Sequence, residues 1–376
     1  MAVPALVMLA LLGGITVYFA RRVTQCVQYL LPRFPFAVSL AVFALLTAVL
    51  AVGFLRSMLP LSPALKSLLK VLSAYWMGAF VYLLLYLLAA DIMVFAGWLT
   101  RLIPHPMPKT VRFASVLAAL VLTAATCVYG FWHASHIHTK TYDVRLPGLE
   151  QEMTVALASD LHLGAVGSEE RLERVTEALN RLDADLICLA GDLFDNDFAA
   201  IKDPERAAQL LRSLAANHGV YACLGNHDAG KTFDEMVRFL ESCGVKLLSE
   251  SYAVVDGRLV LAGRADRSPI GGSRLRRGEL SAVLNGAPAL PVVVMDHNPA
   301  KAEGYGSTAH LVLSGHTHRG QIFPGSLITD RMYAVDYGYG RLENGPQIIV
   351  TSGAGTWGMP MRVGTDCEVV LVRLKP

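Results

Sequence analysis

Five short runs of His, Asp and Asn punctuate the chain: Ser159-Asp160-Leu161-His162, Gly191-Asp192-Leu193-Phe194-Asp195, Gly225-Asn226-His227-Asp228, Asp296-His297-Asn298 and Gly315-His316-Thr317-His318. One such run would be ordinary turn chemistry, because Asp, Asn and Gly commonly follow a strand. Five runs, each after an apolar β-rich stretch, point instead to metal ligation. Imidazole and carboxylate suit Zn, Fe or Mn, and with no paired-Cys motif a thiolate zinc site is excluded. Two divalent ions about 3.5 to 4 Å apart would need a shared carboxylate, several neutral imidazoles and room for a water. Such a pair lowers the pKa of the shared water, aims it in line at phosphorus and balances charge on the attacking and leaving oxygens. The glycines at 191, 225 and 315 are expected to make the tight turns that bring these ligands round.

The elements between the runs alternate. Residues 153–159 read as a buried strand, and 169–183 repeat Leu172, Val175, Leu179 and Leu182 at helical spacing. The cycle continues with a strand at 185–190, a helix at 204–216, a strand at 220–224 and a helix at 232–242. Strands near 246–262, a helix near 278–285 and strands at 291–295 and 310–314 follow. Later strands, at 346–351 and 367–374, come without long helices between them. This order implies layered α/β packing, in which ligands gather at the carboxyl ends of strands.

Taken together, Asp160-x-His162, Gly191-Asp192-x-x-Asp195, Gly225-Asn226-His227-Asp228, His297 and Gly315-His316-Thr317-His318 resemble the signature of calcineurin-like metallophosphoesterases, in order, over residues 154 to 320. The resemblance implies an α/β fold, a four-layer-type β-sandwich flanked by helices, and two divalent metal ions (Mn, Fe or Zn). It assigns Asp160, His162, Asp192 and His318 to one metal, and Asp192, Asn226, His297 and His316 to the other. His227 becomes the acid or charge stabiliser beside the phosphoryl group, oriented by Asp228, while Asp195 braces its loop. The tail from Thr351-Ser352-Gly353-Ala354-Gly355-Thr356-Trp357-Gly358 through Pro360 and Arg362 to Glu368 is similar to a membrane-tethered bacterial branch, some members of which act on phospholipids or a lipid A precursor. Two departures stand out: Arg319 where a second Gly often follows the His-Thr-His run, and Cys367 where Pro often precedes the Glu. Arg319 would add a cation beside the metals.

The remainder of the chain sets the location. Of 376 residues, 53% are hydrophobic and 17% charged, and the charge is unevenly spread. Residues 1–139 hold nine Lys or Arg and one acid, Asp91, whereas residues 140–376 carry a net charge of −6. That asymmetry excludes a simple cytosolic globule, a coiled coil and a disordered chain. It predicts a membrane region over 1–139 and a water-soluble domain over 140–376. A bilayer core of about 30 Å takes about 20 apolar residues of helix, and residues 4–20, 35–55, 72–98 and 113–132 are four candidate spans. Arg21 and Arg22, Pro32 to Pro35, Arg56 to Lys70 and Arg101 to Arg112 punctuate them. The loops at 21–34 and 99–112 carry six Lys or Arg; the 56–70 loop with Lys140 and Arg145 carries five. The difference leans towards a catalytic domain outside the cytoplasm.

Asp91 reads as a helix-contact hydrogen bond made by a neutral or water-linked acid, and no second intramembrane charge is evident to build an ion path. His133, His136 and His138 read as an interfacial collar, since nothing nearby in sequence completes a metal site. The loop from Arg264 to Arg277, with Arg267, Arg274 and Arg276, is either a cap touching lipid phosphates or a solvated loop. The six cysteines suggest no disulfide framework. The acidic soluble half argues against nucleic acid. The expected activity is hydrolysis of a phosphate monoester, diester or pyrophosphate by a multi-pass membrane enzyme. Expected partners are the lipid bilayer and a phosphorylated lipid or small molecule, such as a cell-envelope precursor. The alternative is a catalytically silent membrane sensor or scaffold, which decayed metal ligands would favour; none has decayed here.

Overall fold

The computed structural model describes residues 2–56, 59–272 and 275–376, and the chain divides into two compact units. The first holds residues 1–131 and 358–360, the second residues 132–357 and 361–376. Its first helices are α1 (Ala2–Leu30), α2 (Phe36–Leu55), α3 (Pro63–Leu99) and α4 (Lys109–His133), all four long and apolar enough to cross a membrane. α1 and α3 run well past the apolar windows of the sequence, so Arg21, Arg22, Lys66 and Lys70 lie inside helices rather than in loops. Uncharged length sets the apolar core of a span, but the backbone hydrogen-bond ladder continues until a cap or a proline stops it.

Phe19, Phe43 and Phe80 form the centre of the helical unit, with ring centroids 5.5 Å (Phe19–Phe43) and 5.2 Å (Phe19–Phe80) apart. The helix-contact hydrogen bond expected of Asp91 is present, accepted from Tyr18 Oη at 2.8 Å, but a second charge that the sequence reading did not find accompanies it: the Arg22 guanidinium pairs with the same carboxyl group. Partners 69 and 73 residues away in sequence had no local signature.

The second unit is a sandwich of two six-stranded sheets. The strands in chain order are β1 (Ile137–Arg145), β2 (Met153–Ala158), β3 (Leu186–Ala190), β4 (Val220–Cys223), β5 (Lys246–Leu247), β6 (Ser251–Val255), β7 (Leu259–Gly263), β8 (Val292–Met295), β9 (Leu311–Ser314), β10 (Gly338–Arg341), β11 (Gln347–Val350) and β12 (Cys367–Lys375). One sheet runs β1-β12-β2-β3-β4-β5 and the other β10-β11-β9-β8-β7-β6. Between them lie Val155, Leu157, Leu186 and Cys188 of the first sheet against Leu259, Leu261, Val293, Leu311 and Ile349 of the second.

Helices cover the outer faces, giving the four layers. α5 (Ser168–Arg181) and α6 (Pro204–Arg212) pack on the first sheet with α7 (Phe233–Ser242), through Leu172, Val175, Leu179, Leu211, Met236 and Leu240. Glu169 and Glu170 in the first turn of α5 complement its dipole, and Asp203 caps α6 by accepting from Arg206 N at 2.9 Å. α8 (Leu280–Val283) lies on the other face with Tyr305 and Ala302, and α9 (Ser326–Met332) follows the last ligand loop. Strands β2, β3 and β4 are parallel neighbours, and so are β8 and β9. Their carboxyl ends therefore gather five loops at one edge of the sandwich.

The strand over Ile137–Arg145 was not legible in sequence. IHTKTYDVR is half exposed along its length and pairs only with β12, so it lacks the apolar run that marks the central strands. α9, a seven-residue helix with no buried residue, and β10, a four-residue edge strand with two glycines, were also missed.

Candidate metal centre

The five loops are laced together by their own backbone. Asp160 N donates to the Gly191 carbonyl at 2.9 Å, His162 N to that of Asp192 at 3.0 Å, and Gly315 N to that of His297 at 3.0 Å. His316 N donates to the Asp160 carboxylate at 3.1 Å, tying the second sheet to the first. The Ser159 hydroxyl also donates to that carboxylate.

This close weave needs glycine at two positions for space rather than for turning. A Cβ on Gly225 would fall on the Asp192 carboxylate, and one on Gly315 on the Ser159 hydroxyl and the Asp160 carboxylate. Gly191 alone of the three has a left-handed backbone, at φ 83°. The turning expected of glycine is done by the polar residues themselves: Asp160 (φ 55°), His162 (φ 47°), Asp192 (φ 51°), His316 (φ 72°) and His318 (φ 48°). Non-glycine residues held there cost about 1 to 3 kcal/mol each, and such strain gathers at functional sites.

All seven side chains singled out as ligands converge. One group joins Asp160, His162 and His318, and another joins Asp192, His297 and His316. In the first, His318 Nε2 lies 3.2 Å from Asp160 Oδ1 and 3.1 Å from His162 Nε2. In the second, His297 Nε2 lies 3.1 Å from Asp192 Oδ2, while His316 Nδ1 lies 3.3 Å from His297 Nε2 and 2.9 Å from Asn226 Oδ1. Asp192 stands between the groups. Its Oδ1 accepts from His227 N at 2.8 Å, leaving Oδ2 facing His297 at 3.1 Å and His162 at 3.9 Å.

Asp160, Asp192, His162 and His297 are at most 3% exposed. Burial drives His162 down to about 3 and His316 to about 4, and burial with the Arg362 charge holds His318 well below its usual range. These rings are neutral and keep a lone pair for a cation. Burial pushes Asp160 up to about 6. Burial also works against Asp192, but the charge and hydrogen bond of His297 outweigh it and keep that carboxylate ionised. His297 is raised well above its usual value, its burial overcome by Asp192.

This donor set fits divalent cations. Imidazole nitrogens meet nose to nose at 3.1 and 3.3 Å, close to the spacing of about 3.3 Å between neighbouring ligands of one tetrahedral ion. His297 donates Nδ1–H to the Ala190 carbonyl at 2.9 Å, which aims Nε2 inward. A calcineurin-like phosphoesterase family model matches residues 153–320. A metallophosphoesterase of Aquifex aeolicus is 33% identical over 226 residues, spanning 60% of this chain and 85% of its own length. The chain belongs to the metallophosphoesterase family.

A metallophosphoesterase is a metal-dependent hydrolase of phosphoester bonds. A transmembrane protein with a metallophosphoesterase domain from Danio rerio is 30% identical over 284 residues, 70% of this chain. The alignment spans 63% of that relative, just under two thirds of its length. Together with the four apolar helices, this places the chain among membrane proteins. Among solved structures, a 5'-nucleotidase precursor from Thermus thermophilus is 15% identical, covering 59% of this chain and 55% of its own, with a TM-score of 0.38.

Two expected roles differ in this metallophosphoesterase. Asp228 does not orient the His227 ring: its carboxylate accepts from the backbone amides of Phe194 (2.7 Å), Gly225 (2.9 Å) and Leu193 (3.1 Å), fastening one ligand loop to the next. The carboxylate facing the ring is Asp195, with Oδ1 4.0 Å from His227 Nδ1. Arg319 lays its guanidinium over the Tyr337 ring, 4.2 Å from the centroid.

The Arg264–Arg277 loop is only partly a basic surface. Arg264 is 1% exposed and paired with Glu250, and Arg277 is paired with Asp296 and Tyr305. Arg267 and Arg276 are exposed, and Arg274 lies outside the described residues. Sequence reading named Arg362 in the tail but gave it no role. Fully buried, it donates to the carbonyls of His318 (2.9 Å), Ser352 (2.6 Å) and Gly355 (2.6 Å). A lone Arg in a glycine-rich tail gives no signal of such a clamp.

Proposed function

We propose that this metallophosphoesterase holds two divalent cations and hydrolyses a phosphoester on a lipid or cell-envelope precursor. The observation that carries the dinuclear reading is Asp192. One of its oxygens is committed to the His227 amide, and the other faces both ligand groups at once. Asp160, His162 and His318 would hold one ion, and Asn226, His297 and His316 the other, with Asp192 common to both. When bound, such a pair supplies an activated water and absorbs charge on the phosphoryl oxygens.

The chain's own groups do the remaining work. The Ala190 carbonyl and the His316 amide fix the orientations of His297 and Asp160. His227, 7% exposed and edge-on to His162, faces the site with an Nδ1 that has no hydrogen-bond partner, which suits a donor to a phosphoryl or leaving oxygen. Asp195 Oδ1 lies 4.0 Å from that nitrogen.

Two features favour a lipid substrate. A recess of about 650 Å³ beside His297 is lined by Asp266, Arg267, Ser268, Arg277, Asn298 and Lys301; Arg267 and Lys301 give it cationic groups for the rest of a head group, Arg277 being held by Asp296 and Tyr305. The segment after the His-Thr-His loop exposes Leu327, Ile328 and Met332 by 50, 60 and 67%, an apolar surface suited to a bilayer. Residues 21–34, which include the C-terminal part of α1, and 99–112 together carry six Lys or Arg against five on the opposite side, a bias of one that favours a catalytic domain outside the cytoplasm and that a C-terminal reporter fusion would test.

The decisive variant is Asp192→Asn. It should keep the folded thermal transition while lowering hydrolysis of an aryl phosphodiester by at least about three orders of magnitude. Turnover close to the unmodified rate would overturn the dinuclear reading. Incubating the metal-loaded protein in detergent with an extracted lipid pool and following phosphate-bearing species by mass spectrometry would identify the substrate class.

A further inference from the structure

The three histidines after α4 do not share one fate. His136 turns back, its Nδ1 2.8 Å from the Trp132 carbonyl. His133 and His138 instead converge on Asp366, a residue more than 200 positions away, and the ligand atoms of all three lie within 4.8 Å of one another. The parallel pairing of β1 and β12 produces this. Ile137 stands opposite Cys367, so His138 on one strand and the residue just before the other reach the same corner. All three residues belong to the catalytic unit, and none is among the seven ligands of the metal centre.

We propose that His133, His138 and Asp366 form a separate mononuclear site for a divalent transition metal, with a donor set suited to Zn²⁺. His133 Nε2 and Asp366 Oδ1 are already 3.0 Å apart, near the spacing of about 3.3 Å that adjacent ligands of a tetrahedral ion require. Among the described residues, His138 Nε2 is shielded from solvent with no hydrogen-bond partner, a costly state for a ring nitrogen that a cation would relieve. Lys140 Nζ sits 3.4 Å from Asp366 Oδ2, so one carboxylate oxygen is braced while the other faces the histidines. The His133 and Asp366 side chains are 14% and 26% exposed, which leaves solvent to complete the coordination.

The test is a titration of the detergent-solubilised full chain with Co²⁺ alone, followed by visible absorption and by elemental analysis of the metal retained after gel filtration. His138→Gln and Asp366→Asn should each lower the bound metal by one equivalent and remove one component of the four-coordinate Co²⁺ spectrum. Asp192→Asn should alter the other component. Both new variants leave the seven ligands of the main centre untouched, so phosphodiester hydrolysis at saturating metal reports that they are folded. His133→Gln, at the helix end, repeats the measurement without touching either strand. Equal stoichiometry and an unchanged spectrum across wild type and these variants would overturn the site.

Discussion

Charge is treated in opposite ways in the two units. Among the apolar helices, the lone acid Asp91 is answered within the chain by Arg22 and Tyr18. At the edge of the sandwich, Asp160 and Asp192 are packed against His162, His297, His316 and His318, with the imidazole nitrogens crowded nose to nose. The first arrangement is complete in itself. The second brings like donors together and becomes favourable through a cation. A single acid with a single cationic partner thus marks structure here, and four imidazoles crowded around two carboxylates mark chemistry.

That contrast can be broken most severely by removing metal. Dialysis against a chelator should abolish hydrolysis of an aryl phosphodiester, with recovery on adding Mn²⁺ or Zn²⁺, while leaving the Arg22–Asp91 pair and the helical unit intact by circular dichroism. Activity unaffected by chelation would remove the basis for the second half of the comparison.

Arg362→Met should come next in size. It strands the carbonyls of His318, Ser352 and Gly355, each costing about 1 to 3 kcal/mol when buried unpaired. A loss of about 3 kcal/mol or more should appear in denaturant unfolding of the catalytic unit, and a loss below about 1 kcal/mol would show the clamp to be dispensable.

A pH series sharpens the comparison further. His297 is raised by Asp192 and must lose its proton to bind a cation, whereas His162 and His316 are already neutral near pH 7. Metal affinity should therefore strengthen by up to about tenfold per pH unit between about pH 6 and pH 8, with release of about one proton. Titrations in buffers of different ionisation enthalpy would measure it, and a flat profile would contradict the assignment. The smallest effect belongs to the helices. Arg22→Leu should destabilise the helical unit by about 1 to 3 kcal/mol, and adding Asp91→Leu should restore much of the loss, as read by thermal unfolding in detergent.

How much was legible follows the same physics. The convergence of the seven candidate side chains and the central strands could be read because ligand-type residues recurred at the ends of apolar runs, a pattern that alternation and composition preserve. Asp366 could not be attached to the histidines after α4, because only the β1–β12 register joins them. Nor could the left-handed backbone at Asp160, where no glycine marks a turn, or at Asp192 and His316, where the glycines beside them look sufficient to make the turns. What they supply at 225 and 315 is room, a property of the packed state alone.

β12 lies between β1 and β2, the first two strands of the domain. During synthesis β1 has no partner strand, and β2 has β3 on one side only, until residues 367–375 have left the ribosome and the sheet can close. A stop codon anywhere before that strand would leave two open edges next to a membrane-inserted segment, a product for quality control to remove rather than a weaker enzyme.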